Sequence, residues 1–178
     1  MDGGALTPYY WSMYRTVKEF VEDWARESAT SLKVERALTD ASLSQNSDPE
    51  GRTLGRLAWH MALMIGGMGA AAGLQIAAPP HGTEAPGTAA AIADAYETAA
   101  RSLGEQASAK LNDEQLGKEV SAFGRSMTLA SLLQALVRHQ IHHRAQMSIL
   151  MRMAGLVVPS IYGPNREESA AMRAKQGR

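Results

Sequence analysis

Apolar residues recur at steps of three and four along most of this chain, and no convincing stretch shows the alternation that a half-buried strand requires. That spacing confines the fold to packed helices. Tyr10, Tyr14, Val17, Val21, Trp24 and Ser28 lie on one such face. They predict a helix that starts at Thr7-Pro8, where a hydroxyl can cap and a proline sacrifices no hydrogen bond, and reaches about Ser31. Leu57, His60, Met64, Gly67 and Ala71 predict a second helix from near Thr53, with its inner stripe on those residues. Ile92, Tyr96, Ala99, Leu103 and Ala107 predict a third over 89–111. A fourth runs from near Ser126 or Thr128 to Ala154, with Gly155 as its stop. Residues 32–51, 76–88 and 112–125 read as connections, the first with a short helical turn. The reading is an all-α bundle in one domain, 1–164, with an apolar C-terminal extension from Leu156 and a charged tail, 165–178, that adds a short helix or frays.

Composition narrows the function. Lys plus Arg and Asp plus Glu each number 18, so no net charge draws the chain to nucleic acid or anionic lipid. The absence of cysteine excludes disulfides, thiolate metal sites and a cysteine nucleophile. The first twenty residues lack the basic start and apolar run of a signal peptide, which makes a cytoplasmic location the expectation. The apolar stretch from Leu57 to Ala78 contains His60 and Gln75 and breaks at Pro79-Pro80, so it reads as a bundle helix rather than a membrane span.

Three of the five histidines fall in HQIHH at 139–143. His139 and His143 continue the core stripe Leu132, Leu136, Met147, Leu150 and should look inward. His142 aligns with Arg138, Ala145, Ile149 and Arg152 and should look sideways. A buried imidazole needs a hydrogen-bond partner or a metal, and two protonated rings side by side would repel. A divalent cation accepting a lone pair from each neutral ring resolves both problems, with His60 on the second helix as third ligand. His81, in a Pro/Gly loop, reads as solvated. The zinc-peptidase signature requires Glu after the first histidine, and Gln140, which cannot take a proton, stands there, which argues against a peptidase of that type.

The segments RTLGRLAWHM at 52–61 and HQIHHRAQMSILMRMAGLVVPSIYGP at 139–164 resemble the DinB/YfiT-like family of metalloenzymes. The resemblance spans about residues 6–164. It implies a four-helix bundle in up-down-down-up order with a divalent ion near one end. Its three histidines fall on His60, His139 and His143, the set already chosen by stripe position. It also implies a homodimer, which the apolar Leu156–Ile161 segment would suit. Some relatives use a low-molecular-weight thiol as transferases or isomerases, and others are described as metal-dependent hydrolases.

Three neutral imidazoles leave a coordination position open, the catalytic rather than the structural pattern. The expected activity is hydrolysis or thiol-dependent transfer on a small molecule, with zinc as first-choice ion and nickel as second. The alternative is a non-catalytic bundle in which the ion only clamps two helices or the site binds a ligand without turnover. Arg144 and Gln146 are candidates for orienting a cofactor, and Trp59 and Tyr162 for lining a pocket. Asp48, Glu50 and Glu97 are available as bases by type, with nothing in the sequence to place them at the ion.

Overall fold

A computed structural model describes residues 14–177. It is mostly helical: α1 (Val17–Arg36), α2 (Leu54–Ala71), α3 (Ala89–Lys110), α4 (Leu129–Met153) and α5 (Arg166–Lys175). Single 3₁₀ turns stand at Asp40–Ser42 and Asp113–Gly117, and two short strands, β1 (Glu119–Ala122) and β2 (Arg125–Thr128), precede α4. Each of the four long helices opens on a threonine. Thr16, Thr53, Thr88 and Thr128 each accept the backbone N–H three residues on, satisfying a donor that the helix itself leaves free.

The first helix differs from expectation. Thr7, Pro8 and Tyr10 lie outside the described residues, but Tyr14 is not helical, and α1 starts at Val17. The reason is a capping box: Thr16 accepts from Glu19 N, and the Glu19 carboxylate reaches back to the Thr16 amide. At its other end α1 continues five residues past Ser31, to Arg36.

The all-α expectation also needs correction: β1 lies inside the segment 112–125 read as a connection, and it pairs as an antiparallel hairpin with β2, which takes Ser126 to Thr128 from the expected start of the fourth helix. Phe123 and Gly124 form its two-residue turn, with φ of 53° and 70°. Two consecutive positive φ values match the turn that follows the natural strand twist, but phenylalanine in that place is no signal of it.

The core lies where α1 and α2 each pack against both α3 and α4. Ile92, Tyr96, Ala99, Leu103 and Ala107 are fully buried on α3, as the stripe predicted. On α2 the expected stripe holds only in part: Leu57 is buried, and Met64 and Ala71 are half-buried. Leu54, Ala58, Met61, Ile65 and Met68 carry the core, while Gly67 is exposed and His60 stands at the border. A helix apolar on nearly every side does not define its inner face by pattern alone.

The α2–α3 connection returns along α2, and the glycines make room for it. A Cβ on Gly69 would sit 2.3 Å from Ile76 Cγ1, and one on Gly66 would sit 2.8 Å from Ala78 Cβ. The returning strand of chain carries the Thr83 carbonyl to within 2.8 Å of Trp59 Nε1, which donates to it. Among the described residues no helix is long and apolar enough to cross a membrane.

One buried group runs against the packing. Glu35, 1% exposed, has no hydrogen-bond partner for either carboxylate oxygen among the described residues. Burial pushes its carboxyl up from 4.5 to about 8. The folded chain therefore keeps this proton up to about pH 8, whereas the unfolded chain releases it near 4.5. Between those values the folded state binds more protons, so stability falls as pH rises, by roughly 1 kcal/mol per pH unit. Glu35→Met should abolish that slope. Urea melts at pH 5 and pH 8 should show the variant gaining on the parent at the higher pH; equal behaviour at both would refute the assignment.

Candidate metal centre

His60 comes from the second turn of α2, and His139 and His143 from successive turns of α4, where one helical turn brings both rings to the same side. The three rings converge. His139 Nε2 lies 3.1 Å from His60 Nε2 and 3.1 Å from His143 Nε2. These three side chains form a group able to hold a metal ion, each offering one nitrogen, all within 4.8 Å of one another. No carboxylate belongs to the group.

The spacing fits an ion better than hydrogen bonds. His143 Nδ1 is 2.7 Å from Gln146 Oε1, an acceptor, so Nδ1 carries the proton and Nε2 presents its lone pair inward. A neutral His139 Nε2 has either one proton or one lone pair, and can satisfy only one of its two neighbours. At least one of the 3.1 Å contacts is then left without a hydrogen bond. Nitrogens held about 2.0–2.1 Å from a tetrahedral ion stand about 3.3 Å apart, close to what is seen. The donor set, three imidazole nitrogens, suits a borderline-soft divalent ion.

Electrostatics keeps the rings in the ligating form. Burial, then the neighbouring His143 and the charge of Arg52, hold His60 down at about 4. His139 is likewise lowered to about 4, by burial and then by His143, His60, His142 and Arg52. Burial also lowers His143, partly opposed by its bond to Gln146. Neutral rings at neutral pH are what an incoming cation requires.

A cleft of about 490 Å³ opens beside His60, lined by Arg52, Arg56, Trp59, His60, Leu63, Thr83, Glu84 and Ala85. One wall is α2 with the residues leading into it, and the other is the returning α2–α3 connection. Trp59 therefore lines a pocket, as its type allowed. Tyr162 does not line this one; it lies 70% exposed at a separate groove near Pro159 and Asn165.

The remaining candidates separate clearly. His142 is exposed on the α4 flank, and His81 is exposed in its loop. Gln146 touches His143 and nothing further among the described contacts. Arg144 is 1% exposed, and its guanidinium is taken up inside the fold. It donates to Glu27 O and Ser31 Oγ at 3.0 Å each, to the Glu27 carboxylate at 2.6 Å and to Tyr162 Oη. Glu97 pairs with Arg36 at 2.6 Å, and Asp48 accepts from the Glu50 amide in its own turn. Arg52 and Arg56 are the site residues that sequence reasoning missed. Both stand in the quoted segment RTLGRLAWHM, and a step of four from Arg56 to His60 was the available signal.

The profile of the DinB family matches residues 13–177, through the end of α5. An uncharacterized protein of Bacillus subtilis (strain 168), YrdA, is 39% identical over 158 residues, covering 89% of this chain and 95% of that protein. The crystal structure of a DinB-like protein from Bacillus cereus ATCC 10987 superposes with a TM-score of 0.80 at 37% identity, over 84% of this chain and all of that one. A second DinB-like structure, YjoA of Bacillus subtilis, shares the fold with a TM-score of 0.64 at 21% identity, over 80% of this chain and 96% of that one. Placed beside the histidine geometry, these likenesses leave one assignment: the chain belongs to the DinB family.

Proposed function

We propose that this chain is a metal-dependent enzyme acting on a small molecule, by hydrolysis or by transfer to a thiol. The single observation that carries the reading is the convergence of three Nε2 atoms on one point, with His60 in the wall of an open cleft. His60, His139 and His143 would hold the ion, zinc by first choice and nickel by second. Held there, it would supply a Lewis acid that polarises a substrate carbonyl or acidifies a water or thiol.

The chain's own residues do the rest. Gln146 fixes the His143 tautomer by accepting from Nδ1. Low proton affinity keeps His60 and His139 as lone-pair donors down to about pH 4. Trp59 and the returning connection, joined by the bond from Trp59 Nε1 to Thr83 O, form one side of the cleft. With no carboxylate in the histidine group, a thiol route that needs no protein base suits the site at least as well as hydrolysis. The up-down-down-up order of a four-helix bundle belongs to this reading. So do a cytoplasmic location and a homodimer, the last supported by exposed Ile149, Met153 and Val157 near the end of α4.

Elemental analysis of protein purified without a histidine tag should find close to one divalent ion per chain, removable by chelation. Cobalt-substituted protein should then change its visible spectrum when a small thiol or azide is added, as an exchangeable position requires. A spectrum that ignores every added ligand would leave only a clamp between α2 and α4. Freshly prepared protein that takes up no transition ion would end the proposal.

A further inference from the structure

The start of α2 is charged in the wrong sense for a helix. Its N-terminal end carries partial positive charge, which favours carboxylates. Two helices follow that rule: α1 has Glu19 in its first turn with Lys33 and Arg36 in its last, and α5 has Glu167 and Glu168 first with Arg173 and Lys175 last, whereas α3 and α4 carry no charged residue in their first turns. The first turn of α2 has no acidic residue. Arg52 precedes the Thr53 cap, and Arg56 stands in the first turn. Among the described residues neither guanidinium has an ion-pair or hydrogen-bond partner. Both line the cleft that holds His60.

Three cationic influences thus meet with little to balance them: two guanidinium groups and the positive end of α2. Glu84 is the one carboxylate in the lining. The helix amides themselves are already engaged. Leu54 N donates to Gln45 O at 2.7 Å, Gly55 N to Leu43 O at 2.9 Å and Arg56 N to Thr53 Oγ1 at 3.2 Å. Any anion entering here is therefore met by side chains rather than by the helix backbone. Both side chains are exposed and solvated, so an anion entering the cleft would meet two guanidinium groups that no carboxylate among the described residues holds.

We infer that the cleft beside His60 binds a small organic anion, a substrate carrying a carboxylate or phosphate, through the guanidinium groups of Arg52 and Arg56. Trp59 and Leu63 offer apolar surface to the carbon skeleton of that substrate. This deepens the proposed function and rests on it, since it takes the cleft as the place of the substrate. An uncharged substrate would gain nothing from either guanidinium.

The test uses the zinc-loaded full chain and its Arg52→Gln, Arg56→Gln and double variants. Calorimetric titration with succinate and with inorganic phosphate should show saturable binding to the parent. Each single variant should weaken it about tenfold, and the double variant should abolish it. Succinate bound alone identifies a carboxylate substrate; phosphate bound alone identifies a phosphate ester. Dimethyl succinate, which has the same skeleton without charge, should not bind. A structural role is separated by melting temperature: removing cations from the positive end of α2 should raise it in the absence of anion. Variants that bind both anions as the parent does, or a parent that binds neither, overturn the inference. Metal content measured on the same samples keeps the two readings apart. If no metal is found but anion binding still depends on both arginines, the enzyme reading falls and the anion site stands.

Discussion

Glu27→Ala should remove about 3–5 kcal/mol of folding stability, a large part of the roughly 5–15 kcal/mol that holds a domain of this kind together. The reason lies with its partner. The Arg144 side chain is 1% exposed and that of Glu27 is 13%, with 2.6 Å between Nη2 and Oε2. Tyr162 closes the group by donating to the same Glu27 oxygen at 2.8 Å. Without the carboxylate, the guanidinium keeps its bonds to Ser31 Oγ and Glu27 O but loses its counter-charge at a position where it is itself only 1% exposed. Replacing both partners by apolar residues, Glu27→Leu with Arg144→Met, should recover most of the loss, because the charge goes with its partner. Urea denaturation of the single and double variants gives the comparison directly. A single-variant cost under about 1 kcal/mol would mean that the pair behaves as a surface ion pair.

His139→Ala should weaken metal binding by more than the roughly 10–100-fold that loss of a supporting residue costs, because it removes a donor outright. His139 is the sharpest choice of the three, since its Nε2 is the atom in contact with both other rings. Gln146→Leu provides the internal scale. It leaves all three rings but frees the His143 tautomer, and should cost about 10–100-fold. Competition against a chromophoric chelator would rank the parent, Gln146→Leu and His139→Ala in that order. A His139→Ala protein that holds zinc as tightly as the parent would place the ion elsewhere. Metal-dependent protection against heating should track the same order, because ligand binding to the folded state adds to its stability.

Much of this molecule was legible in its sequence where a local signal was complete. Threonines at 53, 88 and 128 precede apolar periodic stretches, and each proved to be a cap. The stripe of α4 separated His139 and His143 from His142, because His142 lines up with Arg138, Ala145 and Ile149 on the exposed flank. The same method found the core face of α2 only in part, with Leu57 right and Gly67 wrong, since residues 54–71 are apolar almost all round. Thr16 with Glu19 was an available capping signal, overlooked because Thr7-Pro8 offered an earlier start. The hairpin was hidden by the shortness of its strands, four residues each, and by phenylalanine in a left-handed turn position. Buried Arg144 and Glu35 could not be read at all. A charged residue on a helix is ordinarily at the surface, and only the third dimension brings Glu27, Ser31 and Tyr162 around that guanidinium.

The glycines at 66 and 69 have a bearing on how such a protein changes its diet. They are not among the residues that line the cleft, yet they set how closely Ile76 and Ala78 lie against α2, and the same connection supplies Thr83, Glu84 and Ala85 as the outer wall. A bulkier residue at either position would lift that wall and widen the mouth. Such a change would alter the width of the proposed substrate cleft from behind, by backbone clearance, while the three imidazoles stay unchanged.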